Sequence, residues 1–170
     1  TSLGRMWRQP RNVKPLLSVI NNRYSREVRE EATRTLAKML LKSSHAAVST
    51  LINEQTPRHI LNAIVQGYMP AAHRSHYFDV KTVENLEKIL YLSISDTTKK
   101  KIFNAFGQTG LKAIEPLKRF IQSDQPKNWR IKAVEALGEM KTPKAIDPLF
   151  QLALNTHEPM ALRQKASFEL

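Results

Sequence analysis

Apolar residues recur along this chain at helical spacing. Val28, Ala32, Leu36, Met39 and Leu40 follow one another at steps of three and four, as do Ile131, Val134 and Leu137, with the small residues Ala133 and Ala136 among them. Such spacing lines one face of an α-helix. Clusters of Asn, Asp, Ser and Pro interrupt it, at Ser123-Asp124-Gln125-Pro126 and Asn155-Thr156-His157-Glu158-Pro159. Those residue types favour turns and helix starts. The pattern predicts helices joined by short turns.

The pattern also repeats. Pro15, Leu16, Arg29, Ala32, Leu36 and Met39 each lie 101 positions before Pro116, Leu117, Arg130, Ala133, Leu137 and Met140. Arg130, Ala133 and Leu137 lie 33 positions before Arg163, Ala166 and Leu170. Three periods separate the first two copies, so two weaker copies are expected between them. Ala105-Phe106-Gly107, 31 residues before Ala136-Leu137-Gly138, marks one, and Leu61 and Ala63 within Pro57–Val65 mark the other. A period of 31 to 33 residues holds two helices and two turns. The predicted pairs span about 13–42, 44–68, 81–108, 110–140 and 143–170. A single pair cannot bury its apolar face, and stacked neighbours can. The expected fold class is therefore all-α, an α-α superhelix or solenoid of about five helix pairs over 13–170, preceded by an arm over 1–12.

The string Trp129-Arg130-Ile131-Lys132-Ala133-Val134-Glu135-Ala136-Leu137-Gly138-Glu139-Met140, followed by Pro143-Lys144-Ala145-Ile146-Asp147-Pro148-Leu149, resembles the HEAT-like repeat of the phycobilisome lyase type. The likeness is strongest over 110–170. Trp129 stands where the repeat carries a small aliphatic residue, and Ile102 where it prefers Ala. The resemblance implies an architecture more than a function, because such repeats serve lyases, scaffolds, transport factors and DNA glycosylases.

Composition narrows the chemistry. The 170 residues include no cysteine, which excludes disulfides, thiolate metal sites and a cysteine nucleophile in this chain. No apolar run approaches the length of a membrane span, and no signal-peptide core follows Thr1. The chain reads as a soluble, intracellular, processed or excised segment. Leu170 aligns with Leu137, so the last helix is expected to continue at the final residue. Lys and Arg outnumber Asp and Glu by 27 to 15, giving a formal charge of +12. Six basic residues, from Arg5 to Arg26, precede the first carboxylate, Glu27. From residue 81 onward 15 Lys and Arg face ten Asp and Glu, so this half carries only +5.

Two groups of residues are candidates for partner binding. Arg5, Trp7, Arg8 and Arg11 form a basic arm with an aromatic anchor, suited to ordering on contact. Arg29, Arg130 and Arg163 recur at one site of the second helix, with Lys99 and Arg58 as counterparts in the weaker copies and Lys132 nearby. Either they form a cationic ladder for an anionic partner, or they bind acidic groups or backbone carbonyls of the next repeat. Trp129 is expected to pack in the core.

Catalytic and metal signals are weak. His73, His76 and Asp79 have zinc-like spacing, but 69–80 shows no helical period and offers no fourth ligand, so a loop with solvated histidines is expected. His45, His59 and His157 are isolated and expected on helix surfaces. No glycine-rich phosphate loop, nucleophile elbow or metalloprotease helix is present.

The leading expectation is thus a non-catalytic interaction or scaffold subunit without cofactor, binding an acidic protein or a multi-subunit assembly, photosynthetic or other. The resemblance implies a second reading, a bilin lyase or chaperone-like subunit that handles a tetrapyrrole and phycobiliproteins. A third is a nucleic-acid-binding repeat protein.

Overall fold

A computed structural model describes residues 9–40, 42–72 and 78–170. They form ten α-helices and two short 3-10 turns, at Pro10–Asn12 and Gly110–Ala113. In chain order the helices are α1 (Val13–Asn21), α2 (Arg26–Lys38), α3 (Lys42–Thr50), α4 (Arg58–Ala72), α5 (Val80–Leu90), α6 (Asp96–Thr109), α7 (Ile114–Gln122), α8 (Lys127–Glu139), α9 (Pro143–Leu154) and α10 (Met160–Phe168). The fold is an all-α helical repeat.

The chain divides into two compact units, residues 1–99 and 100–170, with the boundary inside α6. In the first unit α1 packs on α2, and α2 packs most extensively on α4. In the second, α7 packs on α8, α9 on α10, and α8 on α10. Each unit therefore shows the same arrangement: a helix against its hairpin partner, and second helices against each other.

The second helices share one starting geometry. The N–H groups of Arg29, Leu61, Lys99, Arg130 and Arg163 donate to the carbonyls of Ser25, Pro57, Ser95, Pro126 and Pro159, at 3.0–3.2 Å. Ser25 and Ser95 also accept from a first-turn N–H through their hydroxyls, as N-caps do. Seven positions further on, Leu36, Tyr68, Phe106 and Leu137 are fully buried. Position 61 thus replaces the basic residue with a buried leucine, whereas Arg58 sits exposed at the first position of α4. Arg58 is not the counterpart of Arg29. Its spacing misled because the turn before it is longer than the turns before Arg130 and Arg163.

Close approach is enforced by glycine where second helices meet. A Cβ on Gly67 of α4 would lie 2.6 Å from the Ala37 Cβ and 2.7 Å from the Arg34 carbonyl oxygen of α2. A Cβ on Gly138 of α8 would lie 2.7 Å from the Glu169 Cβ.

Two further expectations need correction. The helical pattern does not stop at 69, because α4 continues through Pro70 to Ala72. After Met69 the last turn carries only Pro70, Ala71 and Ala72, so hydrophobic periodicity could not mark it. His73 and His76 lie outside the described residues. Asp79 caps α5, its Oδ1 accepting from the Thr82 N–H at 2.8 Å. The last helix ends at Phe168 with Glu169 as its C-cap, leaving Leu170 outside it.

Candidate functional site

The recurring arginines close the hairpins. Arg29 Nε donates to the Ile20 carbonyl at 2.8 Å. Arg163 Nε donates to the Ala153 carbonyl at 3.1 Å, and Arg130 Nε to the Ile121 carbonyl. Each carbonyl belongs to the last turn of the preceding helix, where intrahelical partners run out. A guanidinium there satisfies an orphan acceptor and complements the negative end of the helix dipole. The carbonyls belong to the same repeat as the arginine, not to the next one. Among the described residues, Arg130 alone of the three also reaches onward, through an ion pair from Nη2 to Glu158 that is mostly buried on both sides.

The exposed charge lies elsewhere on the second helices. Lys100, Phe103 and Asn104 of α6 and Lys132, Glu135, Ala136 and Glu139 of α8 line a groove of about 300 Å³ within the second unit. Its floor is apolar. Phe103 is buried, meets Phe120 edge-on at 5.1 Å and stacks on Trp129 at 6.1 Å. Trp129 is half-buried against Phe103, not fully in the core.

One rim of the groove is a charge relay. Lys132 pairs with Glu135, Glu135 with Lys165 at 3.3 Å, and Lys165 with Glu169 at 2.8 Å. Partial burial pushes the Glu135 carboxyl upward, but Lys132 and Lys165 together hold it below the ordinary carboxylate range. The Glu169 carboxylate, seconded by Glu135, holds Lys165 above the ordinary lysine range against partial desolvation. Lys165 Nζ also lies 5.1 Å from the centre of the Phe168 ring.

The HEAT-repeat family model matches residues 83–167, half of the chain. The chain belongs to the HEAT-repeat family. No curated protein sequence matches it. The matched segment of this HEAT-repeat protein contains the groove, the Arg130–Glu158 pair and the relay as far as Lys165.

The sequence candidates are dispersed on this HEAT-repeat scaffold. Arg29, Arg130 and Arg163 face helix ends, Lys132 faces the groove, and Lys99 is half-buried on α6. Arg11 is exposed in the first 3-10 turn. Arg5, Trp7 and Arg8 lie outside the described residues. Asn104 was not singled out by sequence, and Lys100, Glu135 and Glu139 read there as ordinary charges of a solvated helix face. Their signal is positional, since they sit five, nine and thirteen places after the helix-capping residue, on the side turned toward a neighbouring second helix.

Sequence spacing also missed a buried polar cluster in the first unit. His45 of α3 is not on a surface and is only 4% exposed. Its Nε2 lies 3.1 Å from Asp79 Oδ2, and its ring stacks on Tyr68 at 6.0 Å. Asn85 of α5 donates from Nδ2 to the Tyr68 hydroxyl at 2.9 Å. Burial pushes the His45 pKa below the usual histidine value despite the Asp79 carboxylate, and burial pushes the Tyr68 pKa up. The cluster ties three helices together.

Among the described residues, no group of three or more His, Asp or Glu side chains could hold a metal ion, and no helix is long and apolar enough to cross a membrane.

Proposed function

We propose that this HEAT-repeat protein is a non-catalytic interaction scaffold whose second-helix groove binds an acidic segment of a protein partner. The observation that carries the reading is the groove itself. It combines an apolar floor at Phe103 and Ala136 with Lys100 and Lys132 on its rim. Protein interfaces combine an apolar centre with a polar rim, and the chain's charge of +12 favours capture of acidic partners.

Glu135 and Glu139 argue for protein over nucleic acid. They stand beside the groove's lysines, where a continuous phosphate backbone would meet repulsion as well as attraction. The likeness of 110–170 to the phycobilisome lyase type suggests, by analogy, that the partner belongs to a large acidic assembly.

Affinity capture with the chain as bait tests this reading. It should be run with and without nuclease treatment, at low and high salt, beside a Lys100→Glu/Lys132→Glu bait. Acidic proteins retained at low salt by the unaltered bait, and lost from the variant, are expected. Recovery of nucleic acid, with every protein lost after nuclease, would overturn the reading.

A further inference from the structure

The groove carries both signs of charge, and they are separated along its length. Lys100 lies in the N-terminal half of α6 and Lys132 next to the midpoint of α8, whereas Glu139 is the last residue of α8. Lys132 and Glu139 are seven residues apart on one helix, about 10 Å at the α-helical rise. Glu135 is paired with Lys132 and Lys165, so a partner carboxylate at Lys132 would share that ammonium with Glu135, whereas no carboxylate among the described residues forms an ion pair with Lys100. Glu139 rests over Gly107, where a Cβ would come within 2.6 Å of its Oε2, so it extends beside bare backbone at the far end of the groove. Between the two ends lie the Phe103 and Ala136 floor and the Asn104 amide.

We propose that the groove selects a partner segment in polyproline-type extended conformation with a carboxylate and a cation three residues apart. The carboxylate meets Lys100 and Lys132, and the cation meets Glu139. The inference rests on the interaction-surface reading above and deepens it.

Three arguments favour this occupant. A polyproline helix returns to the same face every three residues with a rise of about 3.1 Å, placing those side chains about 9 Å apart. That matches the separation of the charged ends, whereas a flat strand would send residues three apart to opposite faces. The groove presents lysine on its rim and glutamate at its far end, the complement of one short segment that carries both signs of charge. A polyproline segment makes no internal hydrogen bonds, and Asn104 offers both a donor and an acceptor in the middle of the groove.

The test is an NMR titration of the isotope-labelled full chain with four capped dodecapeptides, identical except for a central Glu-Pro-Pro-Arg, Arg-Pro-Pro-Glu, Glu-Pro-Pro-Glu or Arg-Pro-Pro-Arg. One mixed peptide is expected to bind about threefold tighter than either single-sign peptide, the scale of one well-placed exposed ion pair. Its shifts should centre on Lys100, Asn104, Lys132 and Glu139. The Lys100→Glu/Glu139→Lys variant, with its fold checked by circular dichroism, should favour the opposite order of charges. Equal or tighter binding of the all-acidic peptide would overturn the inference while leaving an acidic-partner scaffold standing. Failure of every peptide to bind, or an unchanged order preference in the variant, would also overturn it. The nuclease-treated capture decides separately whether the scaffold reading survives.

Discussion

Arg130 joins two successive helix pairs by holding the Ile121 carbonyl with Nε and the Glu158 carboxylate with Nη2. Among the described residues, Arg29 and Arg163 make only the first of these contacts. The three look equivalent in sequence, yet Arg130 bridges within its hairpin and across to the next.

Arg130→Ala should therefore destabilise the chain more than Arg29→Ala. It removes two charge-assisted hydrogen bonds and leaves Glu158 mostly buried without its cation. We expect a loss of about 2–3 kcal/mol for Arg130→Ala. Arg130→Lys should recover little of it, because an ammonium cannot reproduce the two-direction geometry of a guanidinium. Urea unfolding followed by circular dichroism measures both. Equal effects at positions 29 and 130 would contradict the bridging role.

Gly67→Ala should be destabilising although alanine is the better helix former. Helix propensity alone favours Ala by about 1 kcal/mol. The added methyl would meet the Arg34 carbonyl oxygen and the Ala37 Cβ, and overpacking of this kind costs about 1–3 kcal/mol. The obstruction is partly backbone, which cannot rotate away, so the packing cost should win. A lower midpoint in thermal unfolding is the expected result.

His45 should make the first unit sensitive to acid. Its folded-state pKa is lowered by burial, so the unfolded chain binds its proton first as pH falls. The stability associated with neutral His45 is complete above about pH 6.5, the unfolded value. It declines as pH drops from there toward the depressed folded value. Asp79 from the α5 cap softens the loss by favouring the cation, while Tyr68 and Asn85 supply no charge at that pH. Urea midpoints between pH 7.5 and 5 should fall for the unaltered chain and change less for His45→Gln.

Lys141→Gly should stabilise modestly. Lys141 follows α8 with φ of 47°, and Leu40 follows α2 with φ of 51°. Left-handed residues just past a helix are most often glycine. Relief of the side-chain clash is offset by the greater freedom of glycine in the unfolded chain, leaving a gain of about 0.5 kcal/mol. Thermal unfolding of Lys141→Gly and Lys141→Ala separates the backbone effect from loss of the charge.

The helical repeat was legible because its signals are local. The apolar steps at Val28–Leu40 and Ile131–Leu137, and the offsets of 33 and 101, need only neighbouring or periodic positions. The recurrence of Arg29, Arg130 and Arg163 was equally visible, but not its chemistry. A guanidinium eight or nine residues past a helix end looks the same in sequence whether it faces solvent or a carbonyl. The second copy hid its register, since the buried Leu61 replaces the cation and Arg58 stands nearby as a decoy. His45 was illegible for a different reason. Its partners Tyr68, Asp79 and Asn85 are 23, 34 and 40 positions away, and small residues such as Ser44, Ala46 and Ala47 give α3 no strong apolar stripe. The groove escaped notice because Lys100, Asn104, Glu135 and Glu139 have ordinary helix-surface identities, and only the packing of α6 beside α8 brings them together.

Cross-linking mass spectrometry of the complex captured after nuclease treatment tests the central claim most directly. A lysine-reactive cross-linker should join the partner to Lys100 and Lys132 in preference to Lys118 and Lys144 on the first helices of the same unit. Partner cross-links confined to Lys118 and Lys144, with Lys100 and Lys132 unmodified by the partner, would contradict the assignment of the second-helix groove as the binding surface.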